Sequence, residues 1–139
     1  MPNKVLIVCG SPHDNSHSDV LAKAFGAGAQ ESGNTVLDAD IIAFVTPLYF
    51  LTVSAQLKVF IDRLYCKHHS GKIRGKKGVL ISTSGGPGSA VLTDYFNALC
   101  GLAGWEMFGI VTQGGLGRNS EGPDEVHKEE AYKLGKSIV

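Results

Sequence analysis

Residues Lys4 to Ser18, KVLIVC followed by GSPHDNSHS, constrain this chain more than any other stretch. VLIVC is a continuous apolar run rich in β-branched residues. Such a strand needs both faces covered, which predicts a place in the middle of a parallel sheet. The polar loop that follows leads into a helix expected from about Asp19. Strand, polar loop and helix start make an anion site, because the helix N-terminus offers unpaired N–H groups and a partial positive charge. Ser11, Ser16 and Ser18 add hydroxyls. The alternative reading is a plain βα connection with Ser18 as N-cap and Asp19 complementing the helix dipole. The loop is not a Walker A motif, since no Gly-Lys-Ser/Thr follows. The Gly26–Gln30 stretch falls inside the helix, so it is not a dinucleotide fingerprint.

At 139 residues the chain is long enough for one domain with a proper core, and a single domain over 1–139 is expected. Thirteen basic and thirteen acidic residues balance. A nucleic-acid binder would carry a basic face, so the balance disfavours one, and it equally disfavours a strongly acidic electron-transfer partner. No apolar stretch is long enough to span a bilayer and no signal-peptide pattern opens the chain, so a cytoplasmic protein is expected. Cys9, Cys66 and Cys100 are odd in number and far apart, which suits reduced thiols. Cys9 reads as a small buried hydrophobe. His68-His69 reads as the solvated end of a helix, and no metal site is expected.

Apolar runs alternate with helical patterns along the chain. Buried strands are expected at Ile41–Thr46, Gly78–Thr83 and Trp105–Val111, with a short strand at Asn34–Val36. Helices are expected at Ala55–Cys66, around Val91–Leu99, and at Asp124–Ile138. This alternation predicts an α/β protein with a parallel sheet. One junction conflicts with it. A parallel crossover takes about a dozen residues or more, yet only Leu37–Asp40 separate Val36 from Ile41. A crossover segment is therefore expected to be missing near residues 36–40.

Ligands of doubly wound sheets bind beyond the carboxyl ends of the strands. Three loops converge there: Gly10–Ser18, Pro47–Ser54 and Ser84–Ser89. The first suits phosphate. Tyr49 and Phe50 in the second suit a planar heteroaromatic ring, although they equally fit packing against the next helix. Glycines in the third let backbone approach that ring closely. No Ser-His-Asp set or paired carboxylates stand out, so no catalytic side chain is assigned.

GSPHDNSHS, TPLYFLTVSAQLKVFIDRLY, GKKGVLISTSGG and Gly104-Trp105 before the last strand together resemble the flavodoxin-like family of NAD(P)H-dependent FMN reductases and related flavoproteins. The resemblance covers nearly the whole chain and is most specific over Pro47–Arg63. It implies a three-layer α/β/α, doubly wound parallel sheet of five strands in the order 2-1-3-4-5. It implies FMN, with NAD(P)H as co-substrate and a quinone, flavin, nitro or azo compound, or a redox protein as acceptor. A homodimer or higher homo-oligomer is implied as well. The family's first loop reads GSPR-x-x-G-N-T; here His13 replaces Arg, Ser16 Gly, His17 Asn and Ser18 Thr. The expected cofactor contacts are thus Ser11, His13, Ser16, His17 and Ser18 on phosphate. Pro47, Leu48, Tyr49 and Phe50 are expected on one side of the flavin ring, with Ser84, Gly85 and Gly86 on the other. Many relatives carry an insertion with a C-x-x-C-x-x-C iron–sulfur motif; no such cysteines occur here.

Overall fold

A computed structural model describes residues 2–29, 35–87 and 90–138. The elements run β1 (Val5–Cys9), α1 (His17–Ala29), β2 (Ile41–Pro47), α2 (Ala55–His68), β3 (Lys77–Thr83), α3 (Ala90–Ala103), β4 (Glu106–Gln113) and α4 (Glu125–Lys136). The four strands form one parallel sheet in the order β1-β2-β3-β4, in register Val5↔Ile41 and Ile41↔Lys77. The α/β parallel expectation holds; the fifth strand and the order 2-1-3-4-5 do not. Asn34 lies outside the described residues, and Val36 sits in a turn rather than a strand.

Strand alternation sends side chains to two cores. Ile42, Phe44 and Leu80 pack with Leu57 and Ile61 of α2 and Leu92 and Phe96 of α3. Phe44 stacks on Trp105 with centroids 5.8 Å apart, and the Trp105 indole N–H donates to Ile73 O. Ile41, Ala43, Val45, Val79 and Ile81 pack on the other face with Leu21 and Phe25 of α1 and Ala131 of α4. Helices thus cover both faces, two on each.

This placement has a topological consequence. Every connection steps one strand over in the same direction, but α1 lies on the face opposite α2 and α3. The β1–α1–β2 crossover therefore has the opposite hand to the other two. Parallel crossovers are right-handed in about 98% of cases. The α1 crossover and the like-handed pair around α2 and α3 cannot all follow that rule.

With four strands, β1 is an edge strand, not a central one. Leu6, Ile7 and Val8 are only partly buried and Cys9 is exposed, which corrects the reading of Cys9 as a buried hydrophobe. The α1–β2 connection closes as a turn in which Asp38 N and Ala39 N donate to Thr35 O at 3.2 and 3.0 Å. Lys76, 9% exposed, donates its ammonium to Ala39 O at 2.5 Å and Leu37 O at 3.4 Å. A buried cation is tolerated only with such partners.

Candidate functional site

Because all four strands are parallel, the loops after their carboxyl ends gather at one end of the sheet. The β1–α1 loop begins at Gly10, whose N–H donates to Val45 O at 2.7 Å. A Cβ there would fall 2.6 Å from Leu57 Cβ and 2.8 Å from Ser54 Oγ, so glycine lets the loop seat against the start of α2. Ser54, the N-cap of α2, accepts from Leu57 N and donates its hydroxyl to Gly10 O. One side chain thereby ties the first two loops together.

The α1 helix starts at His17, two residues earlier than the sequence suggests. Ser16, rather than Ser18, is its cap: Asp19 N donates to Ser16 Oγ at 3.2 Å and Val20 N to Ser16 O at 3.0 Å. Among the described residues, the first-turn N–H groups of His17 and Ser18 have no such partner and remain for an anion. Ser16 and Ser18 hydroxyls lie 3.3 Å apart, and Ser18 is buried. The acidic first-turn residue is turned to other work. Asp19 pairs with Lys23 at 3.0 Å and accepts from Asn15 N at 3.0 Å, where the backbone is left-handed at φ 54°.

The β2–α2 loop is a two-residue turn. Tyr49 and Thr52 exchange N–H···O bonds of 3.0 and 3.1 Å, and the residues between, Phe50 and Leu51, both have positive φ of 46° and 66°. That is the type I′ geometry that ordinarily selects Asn-Gly. Phe50 is fully exposed and Leu51 69% exposed. The β3–α3 loop is clamped to the β4–α4 loop, with Leu116 N donating to Ser84 O at 2.9 Å and Gly115 N to Gly86 O at 3.0 Å. Gly88 and Ser89 lie outside the described residues.

These loops enclose a cavity of about 610 Å³, within the range of roughly 300–1,000 Å³ usual for small-molecule sites. Its wall brings together Ser11, His13, Ser16, His17, Ser18, Pro47, Leu48, Tyr49, Ser84 and Gly85. Two expected residues do not line it: Phe50 points into solvent, and Gly86 stands clear of the wall. Sequence reasoning missed Asp14, Asn15, Thr83, Leu116, Gly117 and Arg118. The last three come from the long loop after β4, which parallel topology alone would have brought to this end of the sheet. A smaller hollow of about 200 Å³ between α2 and α3 includes Trp105 and Ile73, which precede β4 and β3, and so lies toward the opposite end.

The cavity fits a flavin mononucleotide. At one end stand hydroxyls and free helix amides, suited to a phosphate. Elsewhere on the wall, Pro47, Leu48 and Tyr49 stand with the backbone of Ser84 and Gly85. A Cβ on Gly85 would meet only Gly117 Cα at 3.8 Å, so that wall is open for a flat ring.

The fold places the chain among flavodoxin-like α/β proteins. The family model described as NADPH-dependent FMN reductase matches residues 26–114, and the chain belongs to that family. It is 31% identical over 131 residues to the FMN-dependent NADH:quinone oxidoreductase 1 of Pseudomonas putida, covering 84% of this chain and 63% of that protein. It is 30% identical over 105 residues to an iron-sulfur flavoprotein of Archaeoglobus fulgidus, covering 75% and 47%. The chain thus spans about half the length of the curated relatives it matches. Among solved structures, the flavodoxin, WrbA-like protein from Agrobacterium tumefaciens superposes with a TM-score of 0.78 at 20% identity, over 99% of this chain and 95% of that one. FMN with NAD(P)H is the cofactor pairing of the family. Among the described residues, no group of three His, Cys, Asp or Glu is placed to hold a metal, and no helix is long and apolar enough to cross a membrane.

Proposed function

We propose that this chain is an FMN-dependent oxidoreductase that takes electrons from NAD(P)H and delivers them to a quinone-class acceptor. The observation that carries the reading is the single cavity joining a hydroxyl-rich helix start to a glycine-walled slot. FMN supplies the redox chemistry, accepting a hydride equivalent and giving electrons up again. The chain's part is to bind, orient and shield. The hydroxyls of Ser11, Ser16 and Ser18 and the amides of His17 and Ser18 hold the phosphate, and His13 stands beside it. Pro47, Leu48 and Tyr49 fix one side of the ring, while Ser84 and Gly85 approach the other by backbone. The cavity mouth, beside the exposed Tyr49–Leu51 turn, leaves room for nicotinamide and acceptor to use the ring in succession.

A cytoplasmic location and a homodimer belong to this reading. The fully exposed Phe50 and the largely exposed Leu51 beside the cavity support an assembly that covers them. Nitro and azo compounds, a second flavin or a redox protein are the other acceptors of the class. A flavodoxin-type carrier that ignores nicotinamides is the competing reading, and the balanced charge speaks against it. Anaerobic mixing of the FMN-loaded protein with NADH or NADPH distinguishes the two. Bleaching of the flavin, reversed by a quinone, is expected; a flavin that neither nucleotide bleaches overturns the enzyme reading.

A further inference from the structure

Resting on that reading of the cavity as an FMN site, we propose that Arg118 supplies the permanent cation for the FMN phosphate, in place of the arginine that His13 replaces in the first loop. Two formally charged side chains line the cavity, Asp14 and Arg118. Without Arg118 the only full charge facing a dianionic phosphate would be a carboxylate. Arg118 lies on the turn Gly117–Ser120, closed by Ser120 N and Ser120 Oγ donating to Gly117 O at 3.0 and 2.8 Å. Ser120 Oγ also lies 3.1 Å from His17 Nε2, at the N-terminus of α1. Gly122 completes the approach, its Cβ position 3.5 Å from His17 Nδ1. The turn that carries the arginine is therefore fastened to the phosphate end of the cavity. Leu116, 9% exposed, anchors its other side. Among the described residues Arg118 makes no ion pair or hydrogen bond, so its guanidinium is available to fork onto phosphate oxygens.

The test compares FMN with riboflavin, which has the same ring and no phosphate, by titration of flavin fluorescence. Arg118→Ala is expected to weaken FMN about tenfold to a hundredfold, the range for a lost charge-assisted bond, and to leave riboflavin unchanged. Arg118→Lys should restore most of the FMN affinity. Equal effects on both flavins, or none on FMN, overturn the assignment. A wild-type protein that binds neither flavin overturns the FMN reading itself.

A second observation stands independently of the site. The hand of the β1–α1–β2 crossover and the apolar, half-exposed edge strand β1 are both what remains when one βα unit is removed beside β1 from the order 2-1-3-4-5. We infer that the native gene product carries such a unit between α1 and β2, near residues 36–40. Trypsin cuts after Lys23 and Lys58 with no site between. Digestion of the protein from its natural source should yield no Ala24–Lys58 peptide of the present sequence, and additional peptides in its place. Recovery of that peptide intact overturns the inference.

Discussion

Gly28 on α1 and Gly135 on α4 meet backbone to backbone: a Cβ on Gly135 would fall 2.2 Å from Phe25 O and 3.2 Å from the carbonyl carbon of Gly28. A Cβ on Gly28 would likewise fall 2.2 Å from Tyr132 O. The contact sets how α1, which carries the candidate phosphate site, lies on α4. Gly28→Ala and Gly135→Ala should each destabilise by about 1–3 kcal/mol through overpacking, despite alanine's better helix propensity. Gly101→Ala, in open space on α3, should instead stabilise by up to about 1 kcal/mol. Urea denaturation of the three variants checks the contrast.

The Phe50-Leu51 turn holds strain. Non-glycine residues in left-handed backbone cost on the order of 1–3 kcal/mol each, and here neither side chain is buried in return. Replacing the pair with Asn-Gly should raise stability by about 1–3 kcal/mol, read as a higher denaturation midpoint. The same variant should lose turnover with the acceptor, because the turn borders the cavity mouth. A stabilised variant with full turnover would assign the strain no role in the chemistry.

Cys100 lies on α3 with 1% exposure, and burial pushes its thiol up to about 11 from 9.0. Cys9 and Cys66 are exposed. A thiol reagent at mildly alkaline pH should therefore modify two cysteines quickly and the third only on unfolding. The folded value is above the unfolded one, so the stabilisation is complete below about pH 9 and is lost as pH rises through about 11. Cys100→Ala should flatten the fall in stability across that window.

Gly85 is the residue whose enlargement most directly blocks the ring. Its Cβ position opens toward Gly117 with no contact shorter than 3.8 Å, so Gly85→Val should fold normally. The branched side chain would occupy the slot and abolish FMN uptake. Circular dichroism and a flavin titration on the same sample separate the two effects.

Much of this architecture was legible in the residues. The stripe Leu57, Phe60, Ile61 and Leu64 predicts the inward face of α2; Leu57, Ile61 and Leu64 are buried and Phe60 is partly buried against the same core. IIAFVT and GVLIST are the central strands, as continuous apolar runs should be. The VLIVC strand misleads for an instructive reason. Its composition is that of a central strand, and local pattern says nothing about which neighbours the rest of the chain supplies. The helix start was misplaced because Ser16 and Ser18 are both good caps, and only the bond from Asp19 N chooses between them. Arg118 escaped notice because its turn reaches the cavity through a contact across 103 residues, Ser120 with His17, which no local spacing reports.

FMN titration of the purified chain tests the central claim most directly, with the Ser11→Ala, Ser18→Ala double variant beside it. The account predicts saturable uptake of one FMN per chain, weakened in the double variant by about 1–3 kcal/mol through lost bonds to the phosphate. A protein that takes up no FMN, or a double variant that binds it at full strength, would contradict the account.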